Sequence, residues 1–70
     1  MTPKTYARIA RLRRAVALAT AARDPAWSAI AQAAGYFDQA YMIDEFRTFT
    51  GRTPPVLRGE LVQVTPRRGR

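Results

Sequence analysis

Helix-start and helix-stop signals divide this sequence of 70 residues into four short segments. A capping residue followed by proline, a combination that favours the first turn of a helix, occurs at Thr2-Pro3, Asp24-Pro25 and Thr53-Pro54. Asp38 is a further N-cap candidate, and Gly35 and Gly51 suit the left-handed position that ends a helix. These signals predict helices over residues 3–22, 26–34, 39–50 and 54–58.

Apolar side chains recur at steps of three or four within these segments, which is the spacing of an amphipathic helix. The stripes predict one shared core for the segments. Its expected members are Tyr6, Ile9, Leu12, Val16, Trp27, Ile30, Met42, Phe46 and Phe49. A core of this size allows one small all-α domain.

The chemistry available to the chain is narrow, because it contains neither cysteine nor histidine. Catalysis and metal or cofactor binding are therefore not expected. No apolar run approaches the ~18–20 residues that span a bilayer. The net charge of +7 is divided into +6 over residues 1–23, −4 over 24–46 and +5 over 47–70. Two basic ends favour a polyanionic partner, although helix faces that only contact solvent would give the same charge pattern.

The second and third predicted helices, joined by a glycine turn, form a helix-turn-helix pattern. Ala31 and Ala34 allow the two helices to approach closely, and Gly35 permits the sharp turn. The third helix then presents an outer face that fits the major groove of DNA. The spacing alone equally suits a helical hairpin in a small bundle.

The residues from Ile30 to Arg58 resemble the second helix-turn-helix of the AraC/XylS family of bacterial transcription regulators. Matching positions are Ile30-Ala31, Gly35-Tyr36, Asp38-Gln39, Phe46, Gly51, Thr53-Pro54 and Arg58. Residues 3–15 resemble the linker helix that joins the two DNA-reading units of that family, through Pro3, Tyr6, Arg11-Leu12 and Ala15. The resemblance implies a long N-terminal helix, a helix-turn-helix at about 27–50 and a short C-terminal helix.

The same resemblance implies sequence-specific binding to double-stranded DNA in the bacterial nucleoid, and hence a cytoplasmic location. The residues expected to contact DNA are Gln39, Ala40, Ile43, Asp44, Arg47 and Arg52. Residues 1–59 are expected to form the DNA-binding domain, and residues 60–70 a flexible basic tail.

Three departures from the family pattern qualify these expectations. The pattern begins at the end of the first unit, so the first helix-turn-helix is not represented, and neither is an effector-binding domain. Asp44 stands where arginine or another polar residue is usual, and an acid there repels phosphate or accepts a hydrogen bond from cytosine. Leu57 replaces an aromatic residue and preserves its burial.

Two other classes of function compete with DNA binding. The acidic segment 24–46 and Asp44 favour a truncated interaction protein that pairs with another regulator or with RNA polymerase. Residues 1–23, rich in arginine and alanine and free of acids, are also typical of an organelle-targeting peptide. The targeting interpretation is the weaker one, because the following helices need this segment for their core. No membrane partner is therefore expected.

Overall fold

Four helices form in the part of the chain that the computed structural model describes, which is the backbone of residues 1–63 and the side chains of residues 1–62. They are α1 (Pro3–Ala21), α2 (Trp27–Ala34), α3 (Gln39–Thr50) and α4 (Pro54–Gln63). The predicted all-α class is confirmed, and the bounds of the first three helices agree with the prediction to within one residue.

The local signals at four of the helix ends act as predicted. The Thr2 hydroxyl accepts from the Thr5 N–H at 3.1 Å, and Asp38 Oδ1 accepts from the Tyr41 N–H at 2.8 Å. Gly35 and Gly51 end α2 and α3 with φ of 97° and 74°, a region that only glycine enters without strain. These caps satisfy backbone groups that a helix end otherwise leaves unpaired.

The predicted cap of α2 is wrong. Ala26, not Asp24, is the N-cap residue, and it makes no side-chain hydrogen bond. The helix begins at Trp27, whose partly buried side chain packs against the core. Tertiary packing therefore sets the start of α2, and Asp24 remains exposed in the connection.

The predicted end of α4 is also wrong, since the helix continues five residues beyond Arg58 to Gln63. Gly59 does not have the positive φ of Gly35 and Gly51, so it lies inside the helix and does not end it. The first four residues of the predicted tail are thus helical. Its remaining residues, 64–70, lie outside the described residues, and the domain boundary stays a prediction.

The core is formed by α1, α2 and α3, with α4 packed beside it. Leu12, Ile30, Met42 and Phe46 are buried as predicted, and Val16 and Trp27 pack partly buried against them. The core also contains Ala31 and Ala34, which the helix-turn-helix pattern predicted at the helix contact, and four residues that the predicted core omitted, which are Ala15, Ala19, Tyr36 and Glu45. Four alanines at helix contacts allow the backbones to approach closely.

Two aromatic residues assigned to the core lie outside it. Tyr6 is 67% exposed and Phe49 is 37% exposed. The buried side of α1 is formed by Leu12, Ala15 and Ala19, and Tyr6 lies about 120° around the helix from Leu12, because each residue turns an α-helix by about 100°. Phe49 instead packs under the guanidinium group of Arg8. Although α1 has 19 residues, no helix of the described chain is apolar and long enough to cross a membrane.

Candidate nucleic-acid interface

The turn between α2 and α3 is fixed by backbone hydrogen bonds around Gly35. The Gly35 N–H donates to the Gln32 carbonyl at 3.1 Å, and the Tyr36 N–H donates to the Ala31 carbonyl at 2.9 Å. Ala31 and Ala34 are buried between the helices, as the sequence predicts. The result is a helix-turn-helix in which the connection between α2 and α3 spans only residues 35–38.

The structure brings five of the six predicted DNA-contacting residues to one side of α3. Gln39, Ala40, Asp44 and Arg47 are exposed, and Ile43 is half-buried beside them. Met42 and Phe46, on the opposite side, are buried. Within the described chain, the side chains of Gln39, Asp44 and Arg47 make no hydrogen bond or ion pair, so their polar groups face solvent.

Arg52 lies apart from this face, in the connection between α3 and α4. Its Nε donates to the Glu60 carboxylate at 2.9 Å, and both side chains are half-exposed. An exposed ion pair of this kind contributes only ~0–1 kcal/mol. A phosphate group can therefore displace Glu60, but until it does the charge of Arg52 is partly neutralised.

The outward face of α3 is nearly neutral, because Asp44 and Arg47 carry opposite charges. The Asp38 carboxylate caps α3, and the positive end of the helix dipole offsets part of its charge. The adjoining surface is apolar at Phe37, which precedes this cap and is 90% exposed. Phe37 is not among the residues that the sequence predicts to contact DNA. The face thus offers an amide, small apolar groups, one aromatic ring and one pair of opposite charges.

Much of the positive charge predicted to face a polyanion is engaged inside the domain. Arg8 binds Glu45, the Arg11 guanidinium lies 5.6 Å from the centre of the Tyr36 ring, and Arg14 donates to the Ala34 carbonyl at 2.9 Å. Arg58 donates to carbonyls at the end of α1. Among the described residues, the cations left on the surface without a partner are Lys4, Arg13, Arg23 and Arg47.

Sequence reasoning also missed a buried polar cluster behind α3. Glu45 is 2% exposed, and Tyr36 is buried next to it. Burial, and then the charge of Glu45, raises the pKa of Tyr36 to about 12. The hydrogen bond from Arg8 to Glu45 raises the pKa of that guanidinium. The signal was present in the sequence, because position 45 follows Met42 by three residues and so lies on the buried side of α3.

A comparison with protein families gives a match over most of the chain. A family model described as a helix-turn-helix domain, of the AraC type, matches residues 1–60. This match covers all four helices except the last turn of α4. Searches of curated proteins and of solved structures returned no match.

Proposed function

Because the chain belongs to the AraC-type family of helix-turn-helix domains, which bind DNA in transcription regulation and are not enzymes, we propose that it recognises double-stranded DNA by sequence. In this proposal α3 enters the major groove in the bacterial nucleoid. A helix is about 10–12 Å wide with its side chains, and the groove is about 12 Å wide.

The observation that carries the proposal is the uncommitted outward face of α3. Its polar groups have no partner within the described chain, while the buried side anchors α3 to the domain through Met42 and Phe46. A helix held on one side and free on the other can insert its free side into a groove. The N-terminal residues of such a helix reach base edges first, which places Gln39 and Ala40 deepest.

The side chains of this face favour a site that contains A·T pairs. The Gln39 amide matches the donor and acceptor of an adenine edge, and Ala40 and Ile43 match thymine methyl groups. Arg47 binds guanine or phosphate. Arg52 contacts the DNA backbone together with main-chain N–H groups at the start of α4.

The expected affinity is low. The described residues supply one reading helix, and four arginines are engaged within the domain. We therefore expect dissociation constants nearer the ~10⁻⁴–10⁻⁶ M of non-specific association than nanomolar values, and an affinity that falls with added salt. Titration of a labelled duplex at two salt concentrations tests this expectation. Tight, salt-independent binding would contradict it.

The substitution D44N tests whether this face meets DNA. Removing one charge at ~7 Å from a phosphate in water changes the interaction by about 0.6 kcal/mol, so affinity should rise roughly threefold for every duplex. The matched control is D24N, which removes the same charge from an exposed position outside α3. Fluorescence anisotropy with a duplex selected from a randomised library, and with a scrambled duplex, gives both affinities.

Each result of this titration has a distinct meaning. Tightening by D44N beyond that of D24N supports contact between α3 and DNA. A loss of preference at one base pair means that Asp44 accepts from cytosine. Equal effects of the two variants would contradict the proposal. The near-neutral face of α3 would then favour the second candidate, an interaction protein that pairs with another regulator or with RNA polymerase.

A further inference from the structure

Two acids stand next to each other on α3 in opposite environments. Asp44 is exposed, whereas Glu45 is 2% exposed and lies in the buried row between Met42 and Phe46. A carboxylate in such a row is costly unless it is paired. Its partner therefore decides which orientation of α3 is allowed.

The partner of Glu45 comes from a different helix, 37 residues earlier in the chain. Arg8 of α1 donates to Glu45 Oε2 from Nε at 2.9 Å and from Nη2 at 2.7 Å. The same guanidinium lies 5.0 Å from the centre of the Phe49 ring, one turn further along α3. Among residues 1–62 the second carboxylate oxygen has no partner. The described contacts thus tie Glu45 to α1 through one directional interaction.

This interaction distinguishes one orientation of α3 from its alternatives. Burial of Met42 and Phe46 keeps the outward residues of α3 out of the core, but apolar contacts have no directional requirement that would set a single rotation within the range that keeps both residues buried. A rotation of α3 within this range separates the Glu45 carboxylate from the Arg8 guanidinium and leaves a buried charge unpaired. A single polar group in an apolar contact is known to fix helix register in this way.

We infer that Arg8 and Glu45 are positioning residues, which fix the rotation of α3 on α1 and thereby the angle at which α3 presents its outward side chains. This inference deepens the proposed function and rests on it for the DNA readout. Neither residue contacts DNA in this scheme. Their effect is exerted through Gln39, Asp44 and Arg47, whose directions relative to a DNA groove change when α3 rotates.

A labelling experiment tests the inference without DNA. The chain has no cysteine, so M42C and D44C introduce single thiols on the buried and the exposed side of α3. In the otherwise unchanged chain, the M42C thiol should react ~100-fold more slowly than the D44C thiol with a water-soluble disulfide reagent. In the R8M/E45M background the two rates should approach each other by about tenfold, although urea unfolding shows equal or higher stability, because methionines fill the space of the pair.

The same labelling experiment can contradict the inference. If the ratio of the two labelling rates changes by less than about twofold in R8M/E45M, packing alone orients α3 and the inference is wrong. If R8M/E45M does not fold, E45Q, which keeps the shape of the side chain, is used in the same comparison. Measured stability separates local rotation from global unfolding.

A DNA measurement then tests the consequence for recognition. R8M/E45M leaves the net charge unchanged, so its affinity for a scrambled duplex should stay the same, whereas its preference for the selected duplex should fall about tenfold. The matched control is R13M/D24N, which also removes one charge of each sign, from exposed positions. Preserved preference in R8M/E45M would overturn the inference. If the unsubstituted protein shows no preference, the proposed function fails while the labelling result still decides the positioning role.

Discussion

Arg58 of α4 binds the C-terminal end of α1, although the two lie far apart in the sequence. Its Nε donates to the Ala19 carbonyl at 2.8 Å, and its Nη2 donates to the carbonyls of Ala22 at 2.7 Å and of Arg23 at 3.3 Å. α1 has no glycine at its end, and Ala22 has an extended backbone. The last carbonyls of α1 therefore depend on Arg58, whose positive charge also complements the negative end of the helix dipole.

We expect R58M to destabilise the domain by about 2–4 kcal/mol. A hydrogen bond to a charged group contributes about 1.5–3 kcal/mol, and three are lost. Water replaces part of this loss at Ala22 and Arg23, which are less buried than Ala19. A domain of this size has a total stability of roughly 4–10 kcal/mol, so the melting temperature should fall by roughly 10–25 °C.

Urea and thermal unfolding, followed by circular dichroism and by the fluorescence of Trp27, measure this effect. The control R13M removes the same charge from an exposed position of α1 and should change stability by less than about 0.5 kcal/mol. R58K keeps the charge but not the fork of donors, and it should recover no more than half of the loss. Equal melting of R58M and R13M would refute the role of Arg58, and full recovery by R58K would show that charge alone acts.

Three further predictions concern the core and the turns. The pKa of Tyr36 is raised from 10.0 to about 12. The contribution of the neutral Tyr36 side chain to the free energy of unfolding is therefore complete below pH 10 and is lost as the pH rises to 12. Alkaline titration should reveal a loss of about 3 kcal/mol that is absent in Y36F. G51A places a Cβ at positive φ and should destabilise by about 1–2 kcal/mol, whereas G59A, inside α4, should stabilise by about 0.5–1 kcal/mol in urea unfolding. F46A should lower the free energy of unfolding by about 3–5 kcal/mol, whereas F37A, which removes an exposed ring, should lower it by less than about 0.5 kcal/mol. Similar melting of F46A and the unsubstituted protein would contradict the assignment of Phe46 to the core.

The helix-turn-helix could be predicted from the sequence because its signals are local. The cap at Asp38 and the left-handed Gly35 and Gly51 act within a few residues of their own position. The period of α3 likewise separates Met42 and Phe46 from the outward residues. These features depend on backbone geometry that any surrounding structure would preserve. The outward face of α3 was therefore predictable, although its contact with DNA stays a prediction.

The errors arose where a local pattern was extended to the whole fold. Tyr6 and Phe49 continue their apolar stripes, but burial also requires a neighbouring element on the same side of the helix, and both side chains remain exposed. Aspartate is a favoured N-cap residue, but at Asp24 the packing of Trp27 determines where α2 begins. Glycine often ends a helix, but Gly59 lies within a helix that continues to Gln63.

By itself, the sequence determined four helices, two glycine turns and the side of α3 that carries the polar groups, because spacing and capping are properties of neighbouring residues. Only the tertiary structure decided the partners of three arginines among the described residues. Arg8, Arg14 and Arg58 reach groups that lie 37, 20 and 39 residues away, respectively. A guanidinium group on an amphipathic helix looks the same in sequence whether it faces solvent, a carboxylate or a helix end. The way the helices pack determines the partner, and here Arg8 joins α1 to α3, Arg14 joins α1 to α2, and Arg58 joins α4 to the end of α1.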